Sequence, residues 1–322
     1  MRSLCFVVFI ALAGRFVADV QAADYPAKPI RYIVATGAGG ASDLLARVVA
    51  QSLSEILGVQ IVVDNRPGAG NTVGAEIAAR AVPDGYTLLS CNIASLAVGP
   101  ALYKRLPYDA ERDFAPLGLI ASNPNAFSVN PSVQAKTLPE LIALAKASPG
   151  KLNYASAGIG TSPQLSMELF KMQAGIDLVH IAYKGVGPGL LDLMAGRVQA
   201  MTSTVPAVLS SARSGKVRTL AITSKQRDSQ LPDVPTVAES GLPDFEVVSW
   251  QGLCTNAGAP QAALKRLRGA LATALAQPDT QKRIMEQGFQ MYVMPADTAA
   301  AFMKGERTRW ARLVKQLGVP QQ

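Results

Sequence analysis

Two short stretches of this chain combine glycine with hydroxyl side chains in an order suited to holding a negative charge. Thr36–Asp43 reads TGAGGASD and Ser156–Pro163 reads SAGIGTSP. Each lies between a short branched apolar run and a segment with helical spacing. A glycine-rich turn lets the backbone approach a ligand closely, because no Cβ stands in the way. A helix beginning behind the turn offers N–H groups with no intrahelical acceptor and the positive end of its dipole. Together these hold an anion without a cationic side chain. The candidate contacts are Thr36, Gly37, Gly39, Gly40, Ala41, Ser42 and Asp43 in the first loop. In the second they are Ser156, Ala157, Gly158, Gly160 and Thr161, with Ser162 just beyond. Either loop alone reads equally well as a tight turn with an N-cap. Their pairing points to a small solute carrying carboxylates.

Other polar residues have two readings each. Asp43 either complements the helix dipole as a cap or points into the cleft, where it would disfavour further negative charge and welcome an amino or hydroxyl group. Asn92 and Ser95 follow a strand and either line the cleft or cap the next helix. Thr202, Ser203 and Thr204 stand in the same position in the second half, with Thr202 and Thr204 taken as contacts. His180 is the sole histidine and lacks an obvious partner, which favours a structural role. No close Cys or His spacing offers a metal site, and no metal or cofactor is expected. Cys91 and Cys254 are either bridged or free.

An enzyme is the sharpest rival reading. Gly37-x-Gly39 after a strand, with Asp64 ending the next, imitates a dinucleotide fingerprint. Ser42 stands where the third glycine belongs, and Asp43 would repel the pyrophosphate. Serine hydrolysis would depend on His180, and no G-x-S-x-G elbow occurs. No residue set emerges for catalysis.

The elements that must position these loops alternate. Ile30–Ala35, Gln60–Asp64 and Tyr86–Cys91 read as strands, separated by helices at 45–57 and 73–81. The pattern restarts with strands at 126–129, 152–155, 179–183, 198–202 and 217–223 and helices at 138–147, 165–174, 188–195 and 207–214. A strand at 245–250 returns the chain toward the first half. Helices at 261–276, 280–287 and 298–316 close it, the last with Phe302, Trp310, Leu313 and Leu317 inward and Lys304, Glu306, Arg309 and Arg312 facing water. Alternation of this kind implies parallel sheets.

The first residues are expected to be a cleaved leader, residues 1–22. Arg2 precedes the apolar run Leu4–Gly14, and Val20-Gln21-Ala22 fits a small-x-small cut. That places the protein in the periplasm. Of 31 basic and 23 acidic residues, Arg2, Arg15 and Asp19 leave with the leader, giving a surplus of +7. A mild surplus favours anionic solutes. The basic residues are scattered rather than striped, which argues against nucleic acid.

The order of motifs carries a stronger signal than any loop. YPAKPIRYIV, GGASDLLAR, VVDNRPGAG, PDGYTLL, LYKRLPYD, DFAPLGLI, ASPGKLNYASAG, ELFKMQAG, HIAYKG, LPDVPTVAESGLP and GERTRWARLVKQLG run from Tyr25 to Gly318. With them the chain resembles the Bug family, the substrate-binding proteins of tripartite tricarboxylate transporters. The resemblance implies an α/β fold, periplasmic binding protein-like of type II. Two doubly wound lobes, 24–122 with 245–322 and 123–244, would be joined by a two-segment hinge with the ligand cleft between them. It also implies capture of a small carboxylate (dicarboxylate, amino-acid-like or aromatic) by a monomer, and delivery to a membrane permease. Some relatives instead serve as ligand sensors. The chain departs from the family at Ala35–Ala38, where a Pro-Phe-Pro-like run is usual, at Gln164 for a frequent His, and at Thr202–Thr204 for a frequent Phe-Asp-Asn. A more polar, less stacked pocket follows.

Overall fold

The computed structural model describes residues 25–316; the expected leader and Leu317 lie outside them. Ile30–Val34 (β1) is buried nearly throughout, as a strand inside a parallel sheet requires. It pairs in parallel with Ile61–Asn65 (β2) on one side and Thr87–Asn92 (β3) on the other. Ala41–Leu57 (α1) joins β1 to β2, and Thr72–Ala79 (α2) joins β2 to β3. α1 buries Leu45, Val48, Val49, Leu53 and Leu57, one stripe at helical spacing. Gly58 ends it with φ 72°, its N–H bonding the Ser54 carbonyl, a left-handed cap that favours glycine.

After β3 the chain makes a π-type turn at Ala94–Val98 and one helical turn, Gly99–Leu102 (α3). The strand Phe114–Val129 (β4) then runs for 16 residues, against the four expected at 126–129. Pro116, Gly118 and Pro124 hide it from a sequence reading, because proline removes a ladder donor. The register shifts between Pro116 and Gly118 and between Leu119 and Ala121 show how the ladder absorbs them.

The second set of elements comprises Leu138–Ala147 (α4), Asn153–Ser156 (β5), Ser162–Ala174 (α5), Val179–Ala182 (β6), Val186–Met194 (α6), Ala200–Thr204 (β7), Val205–Arg213 (α7) and Arg218–Ile222 (β8). β5 pairs in parallel with β6 and β7. The chain returns through Val248–Asn256 (β9), Gln261–Ala276 (α8), Pro278–Glu286 (α9), Gln290–Pro295 (β10) and Ala296–Gln316 (α10). β10 escapes a sequence reading because it is short and half-exposed.

The strands follow the order β2-β1-β3-β9-β4-β7-β5-β6, with β10 and β8 also on β4. β4 therefore serves both lobes. Its residues up to Pro124 pair with β9, and Asn125–Val129 pair with β7 and β8. The second crossing lies alongside: the Val247 N–H bonds the Thr223 carbonyl, and the Thr223 N–H bonds the Asn125 carbonyl, each at 2.9 Å. The result is the two-lobed, type II-like α/β architecture.

Two side chains sit otherwise than their helical phase implies. Met172, which helical spacing sets on one face with Leu165 and Leu169 and so predicts inward, is exposed. Glu306, expected to face water, is buried, because its Oε2 accepts from the indole nitrogens of both Trp250 (3.1 Å) and Trp310 (3.2 Å). Cys91 and Cys254 are buried free thiols on the paired strands β3 and β9.

Candidate functional site

The first glycine loop is braced from within. Gly39 has φ 76°, which frees its N–H to donate to Asp43 Oδ2 at 2.8 Å. Asp43 is 2% exposed, and its oxygens also accept from Arg47 Nε (3.1 Å) and Asn65 Nδ2 (3.0 Å). Burial pushes the carboxyl upward, but the bonds from Arg47, the Gly39 amide and Asn65 outweigh it and hold it below the usual range. Asp43 thus ties the loop to β2 through Asn65 and to α1 through Arg47. The N–H groups of Ala41 and Ser42 lie in the first turn, where no intrahelical carbonyl reaches.

The second loop repeats the device. Gly160 also has φ 76°, and its N–H donates at 3.1 Å to Gln164 Oε1, four residues on as Asp43 is from Gly39. The preceding residues fold back on themselves: the Gly158 N–H bonds Ser156 Oγ at 3.2 Å, and Thr161 Oγ1 donates to the Gly158 carbonyl at 2.7 Å. Ala157 accepts from the Gly185 amide. One lobe uses a carboxylate and the other a neutral amide for the same purpose.

Both helix starts are fastened to the crossing strands. Ser42 Oγ donates to Gln251 Oε1 on β9 at 2.9 Å. Asn125 Nδ2 on β4 donates to Ser162 Oγ (2.8 Å) and Ser166 Oγ (2.7 Å) of α5. Gln251 lies opposite Ala121. Asn125 is four residues further along β4, roughly 13 Å at the usual strand rise. Between these anchors sits Asn123, opposite Ser249. Asn123 is 0% exposed, and neither of its amide atoms has a partner. Thr36 Oγ1, Asn125 Oδ1, Thr202 Oγ1 and Ser203 Oγ are likewise buried without partners among the described residues. A buried polar atom without a partner is rare in folded chains, and Asn123, with both amide atoms unbonded, marks a place where something else bonds.

The lobes also approach each other beside the loops. A Cβ on Gly70 would lie 2.9 Å from the Tyr103 hydroxyl and 3.7 Å from the Ile159 carbonyl, and one on Gly160 would strike Leu102. Asn92 and Ser95 turn to one another: Asn92 Oδ1 accepts from the Ser95 N–H at 3.1 Å. Thr202 and Thr204 do not follow β7 but lie within it, Thr202 at its centre and Thr204 at its end, where it is the N-cap of α7. Asn123, Asn125, Ser249 and Gln251 are absent from the sequence-derived set. The only local hint was the polar run Ser122-Asn123-Pro124-Asn125 within an apolar stretch.

Among the described residues His180 makes a contact that resembles a catalytic pair, its Nε2 lying 2.7 Å from Ser156 Oγ. Its ring stacks on Tyr154 with centroids 4.7 Å apart. Glu168, the nearby acid, is committed to Tyr154 Oη (2.5 Å) and Lys171 (3.1 Å). A Ser–His pair without an orienting acid lacks the triad logic. The site as a whole offers amides, hydroxyls and carboxamides, which bind and orient a solute rather than transform it.

Comparisons with known proteins agree. Residues 45–319 match the profile of the tripartite tricarboxylate transporter family receptor. The chain is similar to Protein BugT of Bordetella pertussis, 38% identical over 312 residues, which cover 97% of this chain and 95% of that one. Among solved structures, the periplasmic binding protein BugD superposes with a TM-score of 0.86 at 34% identity, covering 92% of this chain and all of that one. An R. palustris protein solved with adipate gives 0.87 at 31% identity, covering 91% and 98%. MatC of Rhodopseudomonas palustris, with bound malate, gives 0.82 at 30% identity, covering 90% and 100%.

Proposed function

This chain belongs to the tripartite tricarboxylate transporter family of receptors and is a solute-binding protein rather than an enzyme, and from that premise we propose that it captures a small dicarboxylate between its lobes in the periplasm and hands it to a membrane permease. The observation that carries the reading is the pair of glycine loops, each opening a helix and each fastened to the same pair of crossing strands. Two helix N-termini brought together from different lobes suit a solute with a carboxylate at either end. Bound adipate and malate in the two R. palustris relatives support that class.

In this reading the lobes are residues up to 122 with 245 onward, and 123–244. The boundaries fall beside Pro124 and Asn125, where β4 changes partners. Closure is driven by contacts from both lobes to one solute, so ligand and conformation are coupled. The receptor acts as a monomer. No helix among the described residues is long and apolar enough to cross a membrane.

The test is thermal unfolding of the leaderless protein against a panel of dicarboxylates, amino acids and aromatic acids. A ligand at a hundred times its Kd stabilises by about 2.7 kcal/mol, which at this size raises Tm by roughly 4 °C. Absence of a response to every acid refutes the proposal. Loss of transport on deleting a neighbouring permease, with binding intact, separates delivery from capture.

A further inference from the structure

We propose that Asn123 reads a substituent on the solute, and that the preferred solute is an α-hydroxy dicarboxylate rather than an unsubstituted one. The proposal deepens the receptor reading and rests on it. Asn123 stands on β4 between two anchored positions, and the pleat places residues 121, 123 and 125 on one side of the strand. Its neighbours beside it are each bonded to a helix start. Gln251, across from Ala121, accepts from Ser42, and Asn125 gives its amide hydrogens to Ser162 and Ser166. Asn123 alone in the row is fully buried with both its donor and its acceptor unbonded. A buried carboxamide with neither atom bonded is costly, and it persists where a partner comes from outside the chain.

The chemistry of that partner follows from the amide. A carboxamide presents a donor and an acceptor on adjacent positions. Its complement is an acceptor beside a donor, which a carboxylate oxygen next to an α-hydroxyl supplies. A plain methylene at that place leaves the amide unbonded, the kind of mismatch polar sites reject strongly. A hydroxyl fits better than an ammonium. The other unpartnered buried atoms that strand register sets on the same face are neutral, namely Asn125 Oδ1 on β4 and Thr202 Oγ1 on β7, opposite Phe127. Asp43, the acid that could have faced an ammonium, is saturated by Gly39, Arg47 and Asn65. A buried ammonium needs a charged partner that this arrangement does not give.

The experiment is calorimetric titration of the leaderless protein, Asn123→Ala and Asn123→Leu with L-malate and with succinate. Wild type is expected to bind malate at least tenfold more tightly than succinate, the size of one well-made buried hydrogen bond pair. Both variants should lose most of that ratio, through weaker malate binding, while succinate binding changes less than about threefold. Without ligand, Asn123→Leu should melt at or above wild type, because it removes an unbonded buried amide. A wild type that binds both acids equally overturns the proposal, as does a ratio that survives in either variant. So does a failure of both variants to fold, which would make Asn123 a structural partner. Wild type that binds other acids of the panel but neither malate nor succinate overturns this proposal alone, whereas no response to any acid of the panel sinks the receptor reading itself.

Discussion

Asp43 offers the sharpest test of how the first loop is held. Replacing it by Asn keeps one carbonyl oxygen, which can still accept from the Gly39 amide as Gln164 does from Gly160. What is lost is the ion pair with Arg47, whose side chain is 55% exposed, and the bond from Asn65. An exposed-side pair contributes about 0.5–1 kcal/mol, a buried neutral bond about 1, and an acid at a helix start about 0.5. Asp43→Asn should therefore cost about 2 kcal/mol, or roughly 3 °C in Tm. Asp43→Ala also strands the Gly39 and Asn65 donors in a buried place and should cost about 3–4 kcal/mol. The native carboxyl titrates below the usual 3.8. Its contribution is thus complete above that value and lost as pH falls through the folded one, so the gap between wild type and Asp43→Asn should close in that acidic window. Denaturant unfolding at several pH values measures this. Solute affinity should fall in both variants, because the loop loses its brace, while the preference between malate and aspartate stays. A changed preference, or a cost for Asp43→Ala below about 0.5 kcal/mol, would refute the bracing role.

Further outcomes follow from other buried groups. The chain's two tryptophans share one carboxylate oxygen of Glu306, so Glu306→Leu should cost about 3–5 kcal/mol and shift intrinsic fluorescence, whereas unchanged emission would show that the indoles do not sense it. Burial pulls the His180 pKa below 6.5, opposed by Glu168 and aided by Lys171; the neutral form is the folded one, so stability is complete above pH 6.5 and falls on acidification, and His180→Asn should flatten the melting curve against pH between 5 and 7. Cys91 and Cys254 should resist thiol reagent in the native leaderless protein and yield two thiols on unfolding, and a count of zero after unfolding would mean they are bridged.

Much of this architecture is legible in the sequence, because periodicity and turn chemistry are local. Leu45 to Leu57 at helical spacing, with Gly58 after them, specify α1 wherever it packs. TGAGGASD and SAGIGTSP announce strand–turn–helix units for the same reason. The long strand β4 did not show, because Pro116, Gly118 and Pro124 break its pattern and only pairing on both edges with β9 and β10 stabilises it. The composition of the site was likewise hidden. Ser42 and Gln251 are 209 positions apart, and Asn125 and Ser166 41 apart. Asn123 is one polar residue among many until strand register sets it between those anchors. Glu306 looks like a surface charge in sequence and Asp43 like a cap or a cleft residue, and they become internal braces only through two indoles in one case and Arg47 and Asn65 in the other. Local pattern determines which segments become strands, turns and helices. Which polar atoms end up buried, and which of those are left for a solute, depends on contacts between distant segments that no window of sequence contains.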